Sequence, residues 1–128
     1  IEKKDFGFNL AFGDFIKAEE MEKWVEESKT VLKSAPSKFG VVVDMRTLKP
    51  LPKDSQEVME SGQKLYKEKG LQRSAVIVDR ALLAIQFKRL AKESGIYEWE
   101  RYIASSEQSD WEKMAIDWVK NGIDPDKI

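Results

Sequence analysis

At 128 residues, 41% hydrophobic and 35% charged, the chain is sized for a single globular domain with its own core. A net charge of −1 gives no electrostatic reason to expect nucleic acid, and no apolar run reaches the ~18 residues of a membrane span, so no membrane insertion is expected. The absence of cysteine and histidine excludes disulfides, Ser-His-Asp and Cys-His catalysis and ordinary zinc sites, and suits a reducing, cytoplasmic compartment. No secretory signal is visible, and with Ile1 rather than a methionine first, an upstream segment is left open.

Taken in order, Ile1 to Lys4 predicts a short strand pairing antiparallel with the next one. Phe6 to Phe15 alternates loosely, with Phe6, Phe8, Leu10 and Phe12 on one side, which predicts a strand broken at Gly13-Asp14. Lys17 to Lys33 carries Ala18, Met21, Val25 and Leu32 on one helical face and a row of glutamates on the other. Val41-Val42-Val43-Asp44 is an uninterrupted apolar strand ending in a carboxylate, the pattern of a parallel strand buried on both faces.

A loop stiffened by Pro50 and Pro52 leads to a predicted helix from about Ser55 to Lys69, with Gly62 allowing close approach and Gly70 at its end. Ser74 to Asp79 is a second apolar strand, expected to lie parallel to the first in the sheet interior. A helix from about Ala81 to Glu93 stops at Ser94-Gly95. Its inward stripe is expected to be Leu83, Ala84, Phe87, Leu90 and Ala91. Tyr97 to Ala104 predicts a strand whose Glu98, Glu100 and Arg101 suit a sheet edge. The last helix, about Glu107 to Lys120, is expected to bury Trp111, Met114, Ala115, Trp118 and Val119 before Asn121-Gly122 caps it. The order implies an α/β domain: a mainly parallel sheet of four or five strands covered by about four helices.

Three stretches resemble the SpoIIAA-like group of STAS domains, the fold of bacterial anti-sigma-factor antagonists. They are Asn9 to Phe15 with the helix that follows, Val41 to Asp44 with Asp54-Ser55, and Arg89 to Ile96 with its Ser-Gly-apolar exit. The resemblance implies a regulatory protein that docks a protein partner, with Ser55 as the serine a kinase phosphorylates and Asp54 as its neighbour. Where the family continues Ser-Gly-apolar, this chain has Gln56-Glu57-Val58. Glu57 would repel a phosphate. From the residues alone, Asp54 is expected to cap the helix, with Glu57 three residues on.

Other candidates come from the sheet edge and one helix. Asp44 and Asp79 end neighbouring strands, which would bring them together as a cation- or hydroxyl-binding edge, against the commoner role of bonding loop N–H groups. Arg80, Lys88, Arg89 and Lys92 form a basic run, expected to be a solvated helix face. Tyr97 and Trp99 could wall a pocket between sheet and helix, with core packing the favoured role. Leu82 and Ile85 fall off the inward stripe of their helix, with Arg89 on the same flank, and are expected to form an interaction surface for a homodimer or protein partner. The sequence therefore predicts a non-catalytic interaction or regulatory module with no cofactor and no metal. The alternative is a carrier of a small acyl or lipid-like ligand in a helix–sheet cleft, and the last is a carboxylate enzyme using Asp44 and Asp79.

Overall fold

Continuous β-branched runs build the middle of the sheet. The computed structural model describes residues 1–127, with the side chains of Leu83, Leu90 and Ser94 outside that description. The described residues form strands β1 (Glu2–Lys4), β2 (Gly7–Asp14), β3 (Phe39–Leu48), β4 (Leu71–Val78) and β5 (Glu100–Ala104). They also form helices α1 (Ala18–Val31), α2 (Lys53–Glu68), α3 (Ala81–Ser94) and α4 (Trp111–Asn121). The five strands make one sheet in the order β1-β2-β3-β4-β5. The first pair is antiparallel and the other three are parallel. Val41 to Asp44 pairs with Ser74 to Ile77 inside the sheet, as their apolar composition requires. Among the described residues no helix is long and apolar enough to cross a membrane.

Strand alternation divides the core between two layers. Phe8, Leu10, Val41, Val43, Val76 and Val78 belong to the cluster shared with Met21 of α1 and Met59 and Tyr66 of α2. Val42, Ala75, Ile77 and Ile103 face the other way, onto Ala115, Trp118 and Val119 of α4. The two helices of the first layer close over each other at Gly62, where a Cβ would stand 2.2 Å from the Trp24 ring. A side chain there would force the Trp24 ring out of its place between the two helices. At Gly95 the requirement is conformational: it ends α3 at φ +84°, and a Cβ would meet nothing within 4 Å. In α3, Ala84 and Ala91 are buried as expected, while Phe87 is 36% exposed. The expected inward Leu83 and Leu90 lie outside the described side chains.

Several boundaries differ from the sequence expectation: β3 and β4 begin two and three residues early, at Phe39 and Leu71, and four others differ for a local reason. β3 runs on past Asp44 to Leu48 because β2 continues beside it, through a register shift, to the Asp14–Leu48 pair. α2 begins at Lys53 rather than Ser55, because Pro52 supplies an extended N-cap directly before it. The segment from Ile96 to Glu98 forms a 3-10 turn, so β5 starts only at Glu100 and Tyr97 shares no strand face with Trp99. α4 starts at Trp111, four residues later than Glu107, because residues 105–107 and 109–110 are turns.

Candidate functional site

The residues singled out by the sequence do not converge. Asp44, within β3 rather than at its end, turns onto Arg46: its Oδ1 accepts from Nε at 3.0 Å and its Oδ2 from Nη2 at 2.8 Å. Those hydrogen bonds hold its carboxyl below the usual aspartate value. The Arg46 guanidinium in turn lies 4.3 Å from the centre of the Trp111 ring, which is half-buried beneath it. Asp79 is exposed, and Arg80 lies 3.7 Å from its carboxylate. The candidate Asp44–Asp79 binding edge is thus corrected: Arg46 has taken Asp44, which also accepts from the Arg46 backbone N–H at 3.0 Å, close to the N–H-bonding role that the sequence favoured. Among the described residues no three carboxylates gather as a metal site.

Ser55 is also corrected. With α2 starting at Lys53, Ser55 is the third helical residue and turns inward. It is fully buried, and its hydroxyl donates to the Ile16 carbonyl at 2.8 Å. Asp54 is not the N-cap but the second residue of the helix, accepting from the Ser55 N–H at 2.9 Å. A phosphate on Ser55 would have to displace the β2–α1 connection that its hydroxyl holds, so the serine staples the fold and is no exposed acceptor. Leu82 and Ile85, by contrast, do face solvent, 64% and 63% exposed, and Arg89 is exposed with them.

The chemistry that the sequence missed sits at the start of β5. Glu100 and Arg101 are both buried, and strand alternation sends them to opposite faces of the sheet. Arg101 lies between the rings of Tyr97, at 3.8 Å, and Trp118, at 4.4 Å. Its Nε and Nη2 grip Asp124 at 2.9 and 3.1 Å, and its Nη1 donates to the Tyr97 and Glu100 carbonyls. Asp126 of the same segment accepts from the Tyr97 hydroxyl and from Lys88 of α3. This clasp fastens the chain after α4 onto β5.

Glu100 faces the other layer. Its Oε1 accepts from the Ser74 hydroxyl at 2.6 Å and its Oε2 from the Tyr102 hydroxyl at 2.5 Å. No cation among the described residues pairs with it, and burial pushes its carboxyl above the usual glutamate value. Burial likewise pushes the Tyr102 hydroxyl upward, and the Glu100 charge adds to that. Glu100 lines a cavity of about 40 Å³ between the sheet and α1 and α2, together with Trp24, Met59, Tyr66 and Trp99. Trp24 is stacked on Tyr66 at 5.6 Å and edge-on to Phe12 at 5.1 Å. Trp99 therefore does wall a helix–sheet pocket, from the turn before β5. The sequence signal for Glu100 was its parity with Tyr102 and Ala104, which face the same layer.

No family model matches the chain, and no match to it is found among curated proteins or solved structures.

Proposed function

We propose that this chain is a non-catalytic protein-interaction module that docks through the outward face of α3, in the first instance onto a second copy of itself. The observation that carries this reading is the exposure of Leu82 and Ile85, 64% and 63%, one turn apart on the helix beside the edge strand β5. Large aliphatic side chains side by side on a small domain are what interface centres are made of. Arg80 and Arg89, both exposed, would form the polar rim. A two-fold arrangement would place each Ile85 against the partner's α3, since a symmetric contact uses the same patch twice.

The resemblance of three short stretches to SpoIIAA-like domains supports a regulatory role carried out by docking. Phosphorylation of Ser55 has no part in it, given the burial of that serine. An acyl or lipid carrier gains no support, because a cavity of about 40 Å³ is far below the ~300 Å³ at which ligand pockets usually begin.

The test is sedimentation velocity and thermal melting of the wild type and of Ile85→Glu. Concentration-dependent self-association that disappears in the variant, with the monomer melting unchanged, is the expected result. A wild type that stays monomeric at every concentration ends the self-docking reading. Unfolding of the Ile85→Glu protomer would make Ile85 a structural residue and end the interface reading altogether.

A further inference from the structure

We infer that the cavity beneath α1 and α2 is a binding site for a small protonated amine, a short alkylammonium group held by the Glu100 carboxylate and walled by Trp24, Tyr66 and Trp99. This site is independent of the α3 face, since it lies inside the layer where α1 and α2 pack on the sheet.

Three observations converge on that chemistry. The first is charge. Glu100 carries the one formal charge among the described lining residues, and its two partners, Ser74 and Tyr102, are neutral donors. A buried carboxyl with no cation beside it is driven toward its neutral form, and a bound ammonium would instead hold it ionised as a matched pair. The Lys67 ammonium does not supply one: it is exposed, bonded to the Leu71 carbonyl at 3.4 Å, and sits over the Trp99 ring at 4.6 Å.

The second observation is the wall. Trp24, Tyr66, Trp99 and Phe12 all line the cavity, and aromatic rings accept a cation, as Trp99 already does for Lys67, more readily than an anion. Third is size. A volume of about 40 Å³ has room for roughly three water-sized groups, enough for an ammonium nitrogen and one or two carbons. Gln63, an exposed lining residue, marks where the cavity reaches the surface and where a longer amine would extend outward. Met45 and Met59 add flexible thioether chains that adjust to such a group.

The other occupant such a cavity admits is a trapped water bonded to Glu100. A water supplies no cation for the carboxyl, and the experiment separates the two. Wild-type protein is titrated with ethylammonium chloride at constant ionic strength, following tryptophan fluorescence and the thermal midpoint. Sodium acetate serves as the anionic control and 1-propanol as the neutral one. The expected result is a saturable response to ethylammonium alone, weakened about thirtyfold or more in Glu100→Gln, the order expected when a buried charge pair loses one partner. A parallel titration with Nα-acetyl-lysine amide assigns the source: a matching response points to a lysine side chain, and none to a free amine. Should Glu100→Gln fail to fold, NOEs from the ethyl protons to the Trp24 and Trp99 ring protons of the wild type decide the matter. An equal response in Glu100→Gln, a response to acetate or propanol, or the absence of those NOEs overturns the proposal.

Discussion

Glu100 and Arg101 are neighbours in the chain and both are buried, yet the two faces of the sheet treat them in opposite ways. On the α4 side Arg101 is matched completely: two aspartates, two carbonyls and two aromatic rings surround it. On the α1–α2 side Glu100 has two neutral hydroxyls and a cavity. A buried charge that the chain satisfies by itself is part of the architecture. A buried carboxyl that it leaves without a cation, beside a cavity, is where a ligand has something to contribute. The difference separates a structural clasp from a candidate binding site within two residues of one strand.

If that contrast is right, removing the matched charge should do the most damage. Arg101→Met keeps the stem between Tyr97 and Trp118 but leaves Asp124 without its cation, while Asp126 keeps Lys88 and the Tyr97 hydroxyl, and should cost about 3 kcal/mol in denaturant unfolding. A double-mutant cycle with Asp124→Asn should show strong coupling between the two sites. The clasp also has a pH window. The hydrogen bonds from Arg101 hold the Asp124 carboxyl below its ordinary value of 3.8, so its contribution is present above that value and fades as pH falls through the lowered one. At the other end, burial and the hydrogen bond to Asp126 push the Tyr97 hydroxyl up to about 12 from 10.0, so its contribution is full below pH 10 and fades as pH rises through 12. Tail release outside that window, followed by amide exchange of residues 122–127, would confirm the clasp. Unchanged protection in Arg101→Met would break the contrast.

A second matched group offers a smaller effect. The Ser55 hydroxyl is the single described link from the first turn of α2 to the Ile16 carbonyl. Ser55→Ala leaves that carbonyl without its partner and should cost about 1–3 kcal/mol, more than an exposed capping position would. A loss within 0.5 kcal/mol would mean the site behaves as surface.

What the sequence made legible follows the same physics. β3 and β4 were readable because strands buried on both faces carry unbroken apolar runs, and the β1–β2 hairpin because its turn and alternation are local. The helix termini at Gly70, Gly95 and Gly122 were readable because glycine there answers a backbone need. Asp44 was misplaced because a carboxylate after three valines looks like a strand end, and only the partner β2 shows that the strand continues. Ser55 was misread because a shift of two residues in the start of α2 rotates its third residue from solvent to core. Glu100 and Arg101 were taken for edge charges, and the partners that bury them, Ser74, Asp124 and Trp118, are remote in sequence. Long-range satisfaction of a charge has no local signature.

The smallest effect should come from Glu100 itself, and its sign should be reversed. Burial raises its carboxyl above the ordinary 4.5, with Ser74 and Tyr102 opposing that rise through their hydrogen bonds. For an acid raised in the folded state, the stability contribution is full below the ordinary value and is lost as pH climbs through the raised one. Glu100→Gln keeps the shape and one acceptor oxygen while removing the charge. The variant should therefore match the wild type near pH 4 and gain on it steadily as pH rises, until the wild-type carboxyl is fully ionised. Asp124 and Asp44 titrate in the opposite direction but are present in both proteins, so they cancel in the difference. Urea unfolding of both proteins from pH 4 to 9 measures that difference directly. A variant less stable than the wild type at every pH would mean that the cavity already satisfies the ionised carboxylate, and the contrast with Arg101 would collapse. A gain that vanishes when ethylammonium is added to the wild type would sharpen it, because the ligand would then be supplying what the chain leaves out.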